Sequence, residues 1–589
     1  MSSEESKWVP AGNKIKTKWG KNLTPNNIWQ EYPRPQLERK DWLNLNGFWS
    51  YSITDIHSTK PEKLDGKILV PFCLESSLSG VMKSLNEKQI LWYFKEFEIP
   101  KEWKDKKILL HFNAVDWKCE LYLNDIIIGE HFGGYSEFYF DITRHIKEGN
   151  NKIVLKVWDP SDKGYQPTGK QCLEPHSIWY TPISGIWQTV WLEPVSEQYI
   201  KQLVFNNDLN KKEIKINCKL NNDEKLPVEI KVIYKEKEIL QLKGNSNEEI
   251  IFKIPEEDFH PWSPNEPNIY TIKIQLFDKN NQIIDSISSY TTIRKVEQKK
   301  AENGFNRIYL NNKPLFNMGT LDQGYWPDGL YTPPSEEAMI YDINKLKELG
   351  FNTIRKHVKI EPYRYYYHCD KIGMLIWQDM PSGDRQNNKW EHHGLNAGED
   401  VKRSEESKND YYKEWAEIIN NLKFFQCIII WIPFNEAWGQ FDTEKVVTFT
   451  NKQDPSRLIN AASGGNHRIC GNFLDLHNYP HPDQYLKVDN LINILGEFGG
   501  LGLDIKGHTW KDDNWGYKTM KTKEEVTEKY EEYINMIINS FKGFSAAIYT
   551  QTTDVEIEIN GLITYDREQT KVIEDRIKAV NEKIINSLK

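Results

Sequence analysis

Two glutamates in the second half of the chain follow short apolar runs, and their positions suit acid and nucleophilic chemistry. Glu436 lies in the segment FNEAW, residues 434–438, directly behind the apolar residues 427–432. Glu497 closes a second apolar run, residues 493–496. If both runs are strands of one parallel barrel, both carboxyls open onto the face where such barrels keep their chemistry. Two facing carboxyls could cleave a glycosidic bond, since one protonates the departing oxygen and the other attacks or stabilises the sugar carbon.

The neighbours of each glutamate favour different protonation states. A carboxyl at position 436, held against Trp431 and Trp438, would be partly desolvated, which favours the protonated form that a general acid needs. Glu497 follows a glycine, so that backbone can pack closely around an ionised carboxylate. Carboxyls roughly 5 to 5.5 Å apart indicate a retaining enzyme and roughly 6.5 to 9.5 Å an inverting one; the sequence is compatible with both. Asn-Glu and Gly-Glu pairs also arise by chance, so the prediction depends on their joint placement.

The elements that would position this pair alternate between strand and helix after residue 305. Predicted strands are residues 314–318, 353–357, 374–377, 428–432, 458–462, 473–476, 494–496 and 545–549. Predicted helices are residues 336–349, 362–371, 405–422, 443–452, 524–541 and 568–587, with Ser335 and Asp442 as candidate N-caps. Eight such units predict a (β/α)₈ barrel, or TIM barrel, in which the helix after the sixth strand is short or missing.

The first half of the chain has the pattern of an all-β protein. Short alternating or apolar strands, broken by turn residues, fill residues 29–193 and predict a β-sandwich. Residues 201–296 have the length and strand spacing of an immunoglobulin-like sandwich. The predicted domains are therefore residues 1–197 and 198–297, both β-sandwiches, and residues 298–589, the barrel.

The composition limits the function classes. A chain of 589 residues exceeds what a single core usually holds, so several domains are expected. A net charge of −9 argues against a nucleic-acid partner. Aromatic residues make up 13% of the chain, and they either fill β-rich cores or stack on sugar rings. The amino-terminal residues 1–7 lack an apolar signal and no run of about eighteen apolar residues occurs, so we expect a soluble cytoplasmic protein without a membrane partner.

Neither cysteines nor histidines suggest a metal centre. The seven cysteines are widely spread and never in a C-x-x-C spacing, which argues against a disulfide framework and a thiolate site. His392, His393, His477 and His481 form no His-Glu-x-x-His motif. Loop histidines near a sugar site are the favoured interpretation, and the sequence predicts no required metal or cofactor.

Several ordered motifs along the chain resemble those of one known family. They are YPRPQL (residues 32–37), WLNLNGFW (42–49), AVDW (114–117), GGY (133–135), FDIT (140–143), SGIWQ (184–188) and IRK (293–295). With the Asn-Glu motif at Glu436, they resemble glycoside hydrolase family 2, which contains β-galactosidases, β-glucuronidases and β-mannosidases. The resemblance covers nearly the whole chain. It implies that the first sandwich is a sugar-binding jelly roll, that the partner is a carbohydrate, and that a homo-oligomer forms.

The resemblance also implies roles for individual residues. It implies a retaining double displacement with Glu436 as acid/base and Glu497 as nucleophile. Asn435 would hold the sugar 2-hydroxyl, Arg355 would support the nucleophile and Tyr479 would donate a hydrogen bond to it. His357 is either a sugar contact or a structural histidine. Further candidate sugar contacts are Asp322, Trp438, Asp379 and Tyr549.

Two departures from the family pattern bear on the substrate. Where many relatives have Trp-Asn or Trp-Asp at the end of the eighth strand, this chain has Tyr549-Thr550. The Asn-x-Lys pair that grips a glucuronate carboxylate is replaced by residues 560–562, Asn-Gly-Leu, without lysine. A β-galactosidase-like exo-glycosidase for a neutral sugar is therefore favoured. Alternatives are glucuronide, mannoside, glucoside or arabinoside specificity, transglycosylation, and a non-catalytic carbohydrate-binding homologue.

Overall fold

The amino-terminal part of the chain is a β-sandwich. The computed structural model describes residues 8–385 and 389–588. The sandwich strands are β1 (Leu43–Asn44), β2 (Gly47–Asp55), β3 (Gly66–Val70), β4 (Gln89–Glu98), β5 (Lys107–Phe112), β6 (Val115–Asp116), β7 (Lys118–Leu123), β8 (Ile126–Phe132), β9 (Phe138–Asp141), β10 (Asn150–Trp158), β11 (Gly185–Ile186) and β12 (Val190–Val195). A six-stranded sheet, in the order β3-β2-β4-β10-β7-β8, and a four-stranded sheet, in the order β1-β12-β5-β9, share one apolar core.

A second, smaller sandwich follows. Its strands are β13 (Ile200–Phe205), β14 (Glu213–Leu220), β15 (Pro227–Tyr234), β16 (Lys237–Asn245), β17 (Glu249–Lys253), β18 (Tyr270–Phe277) and β19 (Ile283–Thr291). They form a three-stranded sheet, β13-β14-β17, and a four-stranded sheet, β16-β15-β18-β19. Along β18 every second side chain is buried. That period of two fits an antiparallel strand with one face on a core and one in solvent, as in an immunoglobulin-like sandwich.

The carboxyl-terminal part is a nearly closed barrel of eight parallel strands. The strands from here on are β20 (Val296–Lys300), β21 (Asn306–Leu310), β22 (Lys313–Pro314), β23 (Asn317–Asp322), β24 (Thr353–Lys356), β25 (Leu375–Asp379), β26 (Ile428–Ile432), β27 (Leu458–Ile459), β28 (Phe473–Asn478), β29 (Ile492–Gly499), β30 (Leu501–Leu503), β31 (Lys518–Met520) and β32 (Phe544–Thr550). The barrel order is β27-β26-β25-β24-β23-β32-β29-β28. Within the described ranges no ladder joins β27 to β28, which leaves one seam. All five residues of β26 are apolar and buried, because helices cover the outside of a parallel sheet.

Helices surround the barrel. The α-helices are α1 (Lys18–Lys21), α2 (Glu336–Glu348), α3 (Tyr363–Ile372), α4 (Glu405–Leu422), α5 (Thr443–Gln453), α6 (Lys523–Ser540) and α7 (Glu574–Ile585), and 3₁₀ turns span Pro35–Leu37, Ser77–Ser79, Lys101–Trp103, Glu256–Asp258 and Asn586–Leu588. Ser335 caps α2 as predicted, since its side chain accepts from Ala338 N–H. None of the helices in residues 8–385 and 389–588 has the length and apolarity needed to span a bilayer.

The predicted fold class is confirmed, and the misplaced boundaries have local causes. The first barrel strand begins at Asn317, because Lys313–Pro314 instead pairs with β21 as a hairpin. The fifth strand was predicted three residues too long. The last helix begins at Glu574 rather than at residue 568, because Asp566 Oδ1 accepts from the Thr564 hydroxyl and the Glu568 N–H and holds a turn.

The N-cap predicted for α5 does not make the capping hydrogen bond. Asp442 precedes α5, but its side chain makes no capping bond and its backbone is left-handed, with φ of 39°. Asp400 takes over that role from outside the helix, since its Oδ2 accepts from both the N–H and the hydroxyl of Thr443 at 2.9 and 2.8 Å. As predicted, no helix separates β28 from β29 in the described chain.

Candidate active site

The two predicted glutamates meet at the carboxyl end of the barrel. Glu436 lies four residues beyond the end of β26, and Glu497 lies within β29. One carboxylate oxygen of each and a ring nitrogen of His477 all lie within 4.8 Å of one another. This separation is close to the roughly 5 to 5.5 Å of retaining glycosidases and well below the roughly 6.5 Å at which inverting ones begin.

A tight turn presents Glu436 to the site. Glu436 and Ala437 both have left-handed backbone, with φ of 49° and 60°, a conformation that is uncommon for residues other than glycine. The turn is tied to the neighbouring segment, since Glu436 N–H donates to Ser463 O and Ser463 N–H donates to Phe434 O, both at 2.9 Å. The Glu436 side chain is 13% exposed, which leaves the carboxyl accessible from the mouth of the barrel.

Glu497 is buried and surrounded by donors. Arg355 Nη1 lies 3.2 Å from its Oε1, and the hydroxyl of Tyr479 donates to its Oε2 at 2.5 Å. Burial would raise the pKa of Glu497, but the charges of His477 and Arg355 lower it to about 2. The carboxylate is therefore ionised, as a nucleophile must be.

Arg355 connects three other predicted site residues, Asp379, Asn435 and Glu497. Its Nε and Nη2 donate to the two oxygens of Asp379 at 3.1 and 3.0 Å, and Nη2 also donates to Asn435 Oδ1 at 2.7 Å. This two-point contact fixes the plane of the guanidinium, so that Nη1 faces Glu497. Burial raises the pKa of Asp379 above its usual value, and Arg355 offsets only part of that rise. Asp379 thus orients Arg355, and it is buried, with little surface left to contact a sugar.

Two buried polar atoms of the predicted site residues around Arg355 and Asp379 have no hydrogen-bond partner within the described residues. One is a donor, Asn435 Nδ2, and the other is His357 Nε2. His357 Nδ1 lies 2.8 Å from Asp379 Oδ2, and burial lowers the pKa of His357 well below its usual value. The ring is therefore neutral, with its proton on Nδ1 facing the carboxylate and a lone pair on Nε2. A donor and an acceptor of this kind suit sugar hydroxyls.

Two other predicted contacts are engaged elsewhere. Asp322 Oδ2 accepts from Lys356 Nζ at 3.0 Å and its Oδ1 from Gly324 N–H at 2.8 Å. The Tyr549 hydroxyl accepts from Leu501 N–H at 3.2 Å, and its ring lies against Tyr530 of α6. Neither side chain contacts the glutamate pair within the described residues.

Strand alternation explains both positions. Successive side chains of a strand point to opposite sides, so Arg355 enters the barrel while Lys356, with Asp322, faces the helices. In the same way Thr550 enters the site instead of Tyr549. Thr550 Oγ1 lies 2.6 Å from the Tyr479 hydroxyl. Since that hydroxyl gives its proton to Glu497, Thr550 must be the donor to Tyr479.

The two tryptophans expected beside Glu436 differ in position. Trp431 faces outward, where its ring packs on Trp415 of α4 and its Nε1 donates to Asp454. The expectation that it desolvates Glu436 is therefore wrong. Trp438 lies against Trp179 of the amino-terminal sandwich, with ring centroids 4.9 Å apart.

Sequence reasoning missed two charged residues of the site. His477 was treated as a loop histidine, yet it lies in β28 and its Nδ1 is 2.9 Å from Glu436 Oε1. The period of two in β28 puts His477 on the same side as Tyr479, and that signal could have found it. Lys170, from the sandwich, had no local signal. It is only 5% exposed, 5.8 Å from the rings of Tyr180 and Trp438, and within the described residues no carboxylate lies at ion-pair distance from it.

A separate cavity of about 840 Å³ lies between the two sandwiches and the barrel. Its lining includes Arg34, Lys201, Phe205 and Phe424. None of the predicted site residues lines it, so its size does not bear on the chemistry of the glutamate pair.

Comparison with known proteins adds family matches along the chain. The model for the sugar binding domain of glycosyl hydrolases family 2 matches residues 80–194, a second family 2 model matches residues 198–294, and the family 2 TIM barrel domain matches residues 305–495. Together they match most of the chain, from residue 80 to residue 495, and leave out β1 to β3 and the part of the barrel from Gly496 on.

Curated relatives carry two different names. A beta-galactosidase of Thermoanaerobacter pseudethanolicus is 28% identical over 436 residues, which are 71% of this chain and 55% of that protein. A putative beta-glucuronidase of Formosa agariphila is 26% identical over 463 residues, 73% of this chain and 52% of that protein. The chain thus spans about half the length of the curated relatives it matches.

Solved structures share the fold over nearly the full length. The β-D-glucuronidase of Dictyoglomus thermophilum superposes with a TM-score of 0.74 at 18% identity, over 94% of this chain and 98% of that one. The β-glucuronidase of Ruminococcus gnavus gives 0.71 at 18% identity, over 94% and 99%. At these identities the likeness is one of fold.

Proposed function

Because the chain belongs to glycosyl hydrolase family 2, we propose that it is a retaining exo-β-glycosidase that removes a terminal sugar by double displacement. The observation that carries the proposal is the meeting of Glu436 and Glu497, with carboxylate oxygens within 4.8 Å. That spacing suits direct attack on the anomeric carbon and leaves no room for the intervening water that inversion requires.

In the first step Glu497 is the nucleophile. One of its oxygens forms a bond to the anomeric carbon while the glycosidic C–O bond breaks. The bonding electrons pass to the departing oxygen, which takes a proton from Glu436. Arg355 and Tyr479 support this role, because their hydrogen bonds keep Glu497 ionised and aimed. The product is a glycosyl ester of Glu497.

In the second step Glu436 acts as a base. It takes a proton from water, the water oxygen bonds to the anomeric carbon, and the ester bond breaks to return Glu497 as a carboxylate. Each step inverts the configuration at the anomeric carbon, so the two steps together retain it. Asn435 Nδ2 and His357 Nε2, both buried and without a partner in the described chain, are proposed to bind hydroxyls of the sugar.

Residues of the amino-terminal sandwich support exo action. Trp179 packs on Trp438 beside Glu436, and the guanidinium of Arg385, from the barrel, lies over the ring of Trp179, 4.0 Å from its centroid. Lys170 reaches the same side of the site. A wall from a second domain narrows the site, which favours a terminal sugar over a segment within a long chain.

A neutral sugar such as β-galactose is the first candidate. The segment after the eighth strand lacks the lysine that would pair with a uronate carboxylate, and Asn560 is engaged there with Gln551 and Glu558. A β-glucuronide is the second candidate, favoured by one observation. Lys170 offers a buried ammonium without a carboxylate partner in the described residues, and this group could replace the missing lysine.

The test is a panel of nitrophenyl β-glycosides, including galactoside, glucoside, mannoside, xyloside, arabinoside and glucuronide. We expect turnover on at least one member, a loss of at least about 10³-fold in Glu497→Ala, which is about 4 kcal/mol of barrier, and rescue of Glu436→Ala by azide on an activated substrate. Wild-type rates in both variants would show that the roles are wrong. Sugar binding without turnover on any member would indicate a non-catalytic homologue.

A further inference from the structure

His477 occupies a space that the chain reserves for its ring. Opposite it lies Gly464, in left-handed conformation with φ of 57°, where a Cβ would stand 2.2 Å from the ring Cγ. Only a residue without a side chain allows this approach. The ring therefore has a fixed position between the segment that carries Glu436 and the strand that carries Glu497.

Hydrogen-bond geometry defines the protonation of this ring. His477 Nε2 lies 2.8 Å from Ser463 Oγ, and Ser463 Oγ lies 2.5 Å from Asp475 Oδ2. A hydroxyl has one proton to donate, and Ser463 Oγ donates it to Asp475 Oδ2, which also accepts from Asn460 Nδ2 at 2.6 Å. Ser463 therefore accepts from Nε2–H. On the other side Nδ1 faces Glu436 Oε1 at 2.9 Å, so that one proton is shared between these two atoms.

The remaining contact of the ring is compatible with this assignment. Arg355 Nη1 lies 3.3 Å from His477 Nε2, but both of its hydrogens have other acceptors. One is Glu497 Oε1 at 3.2 Å and the other is Gly496 O at 3.3 Å. The guanidinium therefore needs no lone pair from the imidazole. With Nε2 protonated, a proton on Nδ1 in place of Glu436 Oε1 makes the ring an imidazolium.

The charges around His477 agree with this state. Burial would lower the pKa of His477, but Glu497, Glu436 and Asp475 raise it above its usual value. Among the described residues, the titratable and charged groups that face it are Glu436, Glu497, Asp475, Asp379, Arg355, His357, His392, His467 and Tyr485. Burial lowers the pKa of His392 and of His467 to about 4 each, so both are neutral near pH 7. Burial raises the pKa of Asp475 and of Asp379, and Glu497 is the largest influence that raises the pKa of His477.

We propose that His477 is a positioning residue that stores the proton which Glu436 delivers to the departing oxygen. The proposal rests on the glycosidase function proposed above. In the resting state the proton lies on Nδ1, and it crosses the hydrogen bond to Glu436 Oε1 before the glycosidic bond breaks. The transfer needs no other group, because Nδ1 and Oε1 are already 2.9 Å apart.

The proton balance closes over one turnover. In the first step the stored proton leaves with the aglycone hydroxyl, so that His477 is neutral and Glu436 is a carboxylate in the glycosyl-enzyme. In the second step Glu436 takes one proton from the attacking water, and that proton returns to Nδ1. The hydroxide part of the water ends on the sugar, and no other reactant is needed.

The same imidazolium also acts on the nucleophile. Its Nδ1 lies 3.6 Å from Glu497 Oε2. Burial would raise the pKa of Glu497, and the charge of His477 is the largest single influence that lowers it. Loss of the ring should therefore move both limbs of the pH–activity profile. The acid limb, which follows protonation of Glu497, should move to higher pH, and the alkaline limb, which follows loss of the stored proton, should move to lower pH.

The experiment compares the pH dependence of kcat/KM for wild type and His477→Asn on the best glycoside of the panel. Asparagine can still donate a hydrogen bond from a position near Nδ1, but it cannot hold the extra proton. We expect the alkaline limb to move to lower pH and the acid limb to higher pH, each by at least about one unit. The loss of kcat/KM in His477→Asn relative to wild type should be smaller on a 2,4-dinitrophenyl glycoside, because its leaving group needs little protonation.

Two further variants keep the outcome clear. Ser463→Ala removes the acceptor of Nε2–H with little change of volume, and it should move the alkaline limb in the same direction by a smaller amount. His57→Asn changes an exposed histidine of the amino-terminal sandwich, and both limbs should stay in place. A thermal unfolding curve for each variant separates loss of fold from loss of proton storage.

Unshifted limbs in both His477→Asn and Ser463→Ala, with only a lower kcat, would overturn the proposal and leave a purely structural role. That result differs from failure of the proposed glycosidase function, in which wild type itself turns over no member of the panel and the Glu436 and Glu497 variants do not differ from it.

Discussion

The hydroxyl of Tyr479 donates to Glu497 Oε2 at 2.5 Å, and Thr550 holds the same hydroxyl from the other side at 2.6 Å. The tyrosine ring is itself stacked on Tyr517, with centroids 3.9 Å apart. Three contacts thus fix a single donor on the proposed nucleophile. Since a hydrogen bond to a carboxylate is strong when it is buried, this donor should influence both formation and breakdown of the glycosyl ester.

Tyr479→Phe should therefore slow turnover by roughly 10- to 10³-fold, about 1.4 to 4 kcal/mol of barrier. The acid limb of kcat/KM should also move to higher pH, because the carboxylate loses a donor that favours its ionised form. Rates across a pH series measure both effects.

Tyr517→Phe is the matched control, since it removes a hydroxyl from the other ring of the stack and no hydrogen bond to Glu497. We expect less than about threefold change. Equal losses in the two variants would mean that the stack matters and the hydrogen bond does not.

The pairing of Glu436 with Glu497 follows from local sequence. Each glutamate ends or follows a run too apolar for any place but a barrel interior, and β26 and α4 have the predicted bounds. Parallel strands bring their carboxyl ends to one face, so nearness of the two acids needs no knowledge of distant contacts.

The sequence did not show which side chains of each strand point into the barrel. Tyr549 and Thr550 are neighbours at the end of an entirely buried strand, and which of them enters the barrel depends on register with β23 and β29. A strand buried on both faces has no alternation of polarity to reveal that register. The position of Lys170 is harder still to predict, because this residue reaches the site from another domain.

The Nδ2 atom of Asn435, which has no partner among the described residues, leads to a prediction about one substrate hydroxyl. If it binds the 2-hydroxyl in the transition state, Asn435→Ala should lower kcat/KM by roughly 10- to 100-fold on the parent glycoside. On the 2-deoxy glycoside the same variant should have little effect, because the partner is already absent. Rates for both proteins on both substrates form a double-mutant cycle. A loss of the same size on the 2-deoxy substrate would mean that Asn435 acts only through Arg355.

Lys170 should set the preference between charged and neutral sugars. Its ammonium is buried and has no carboxylate partner in the described residues, while its charge acts on Glu497 and Glu558. Lys170→Met keeps the length of the side chain and removes the charge. We expect the ratio of kcat/KM for β-glucuronide over β-galactoside to fall by at least about tenfold, near 1.4 kcal/mol, whichever sugar wild type prefers.

The ratio is informative because a general loss of rate cancels from it. Lys163→Met, at an exposed lysine of the same part of the sandwich, is the control and should leave the ratio unchanged. An unchanged ratio in Lys170→Met as well would remove the reason for the second candidate substrate.

Glu193 links the two sandwiches and should be important for stability. It is fully buried in β12, where its oxygens accept from Tyr32, Arg34 and Arg39, while Arg39 also forms an ion pair with Asp285 of β19 at 2.7 Å. Glu193→Gln leaves buried guanidinium charge uncompensated, at a cost of about 3–5 kcal/mol. We expect a clear fall in the midpoint of thermal unfolding near neutral pH.

The pH dependence of that fall provides its own check. Burial would raise the pKa of Glu193, but Arg34 and Arg39 lower it well below its usual value. A depressed folded-state pKa contributes stability that is fully present above the unfolded value, near 4.3, and is lost as pH falls toward the folded value. The difference between wild type and Glu193→Gln should therefore shrink below about pH 4. Glu197→Gln, at an exposed pair with Lys107, should change the midpoint little at any pH, and a constant difference for Glu193→Gln would rule out the ion pairs as its cause.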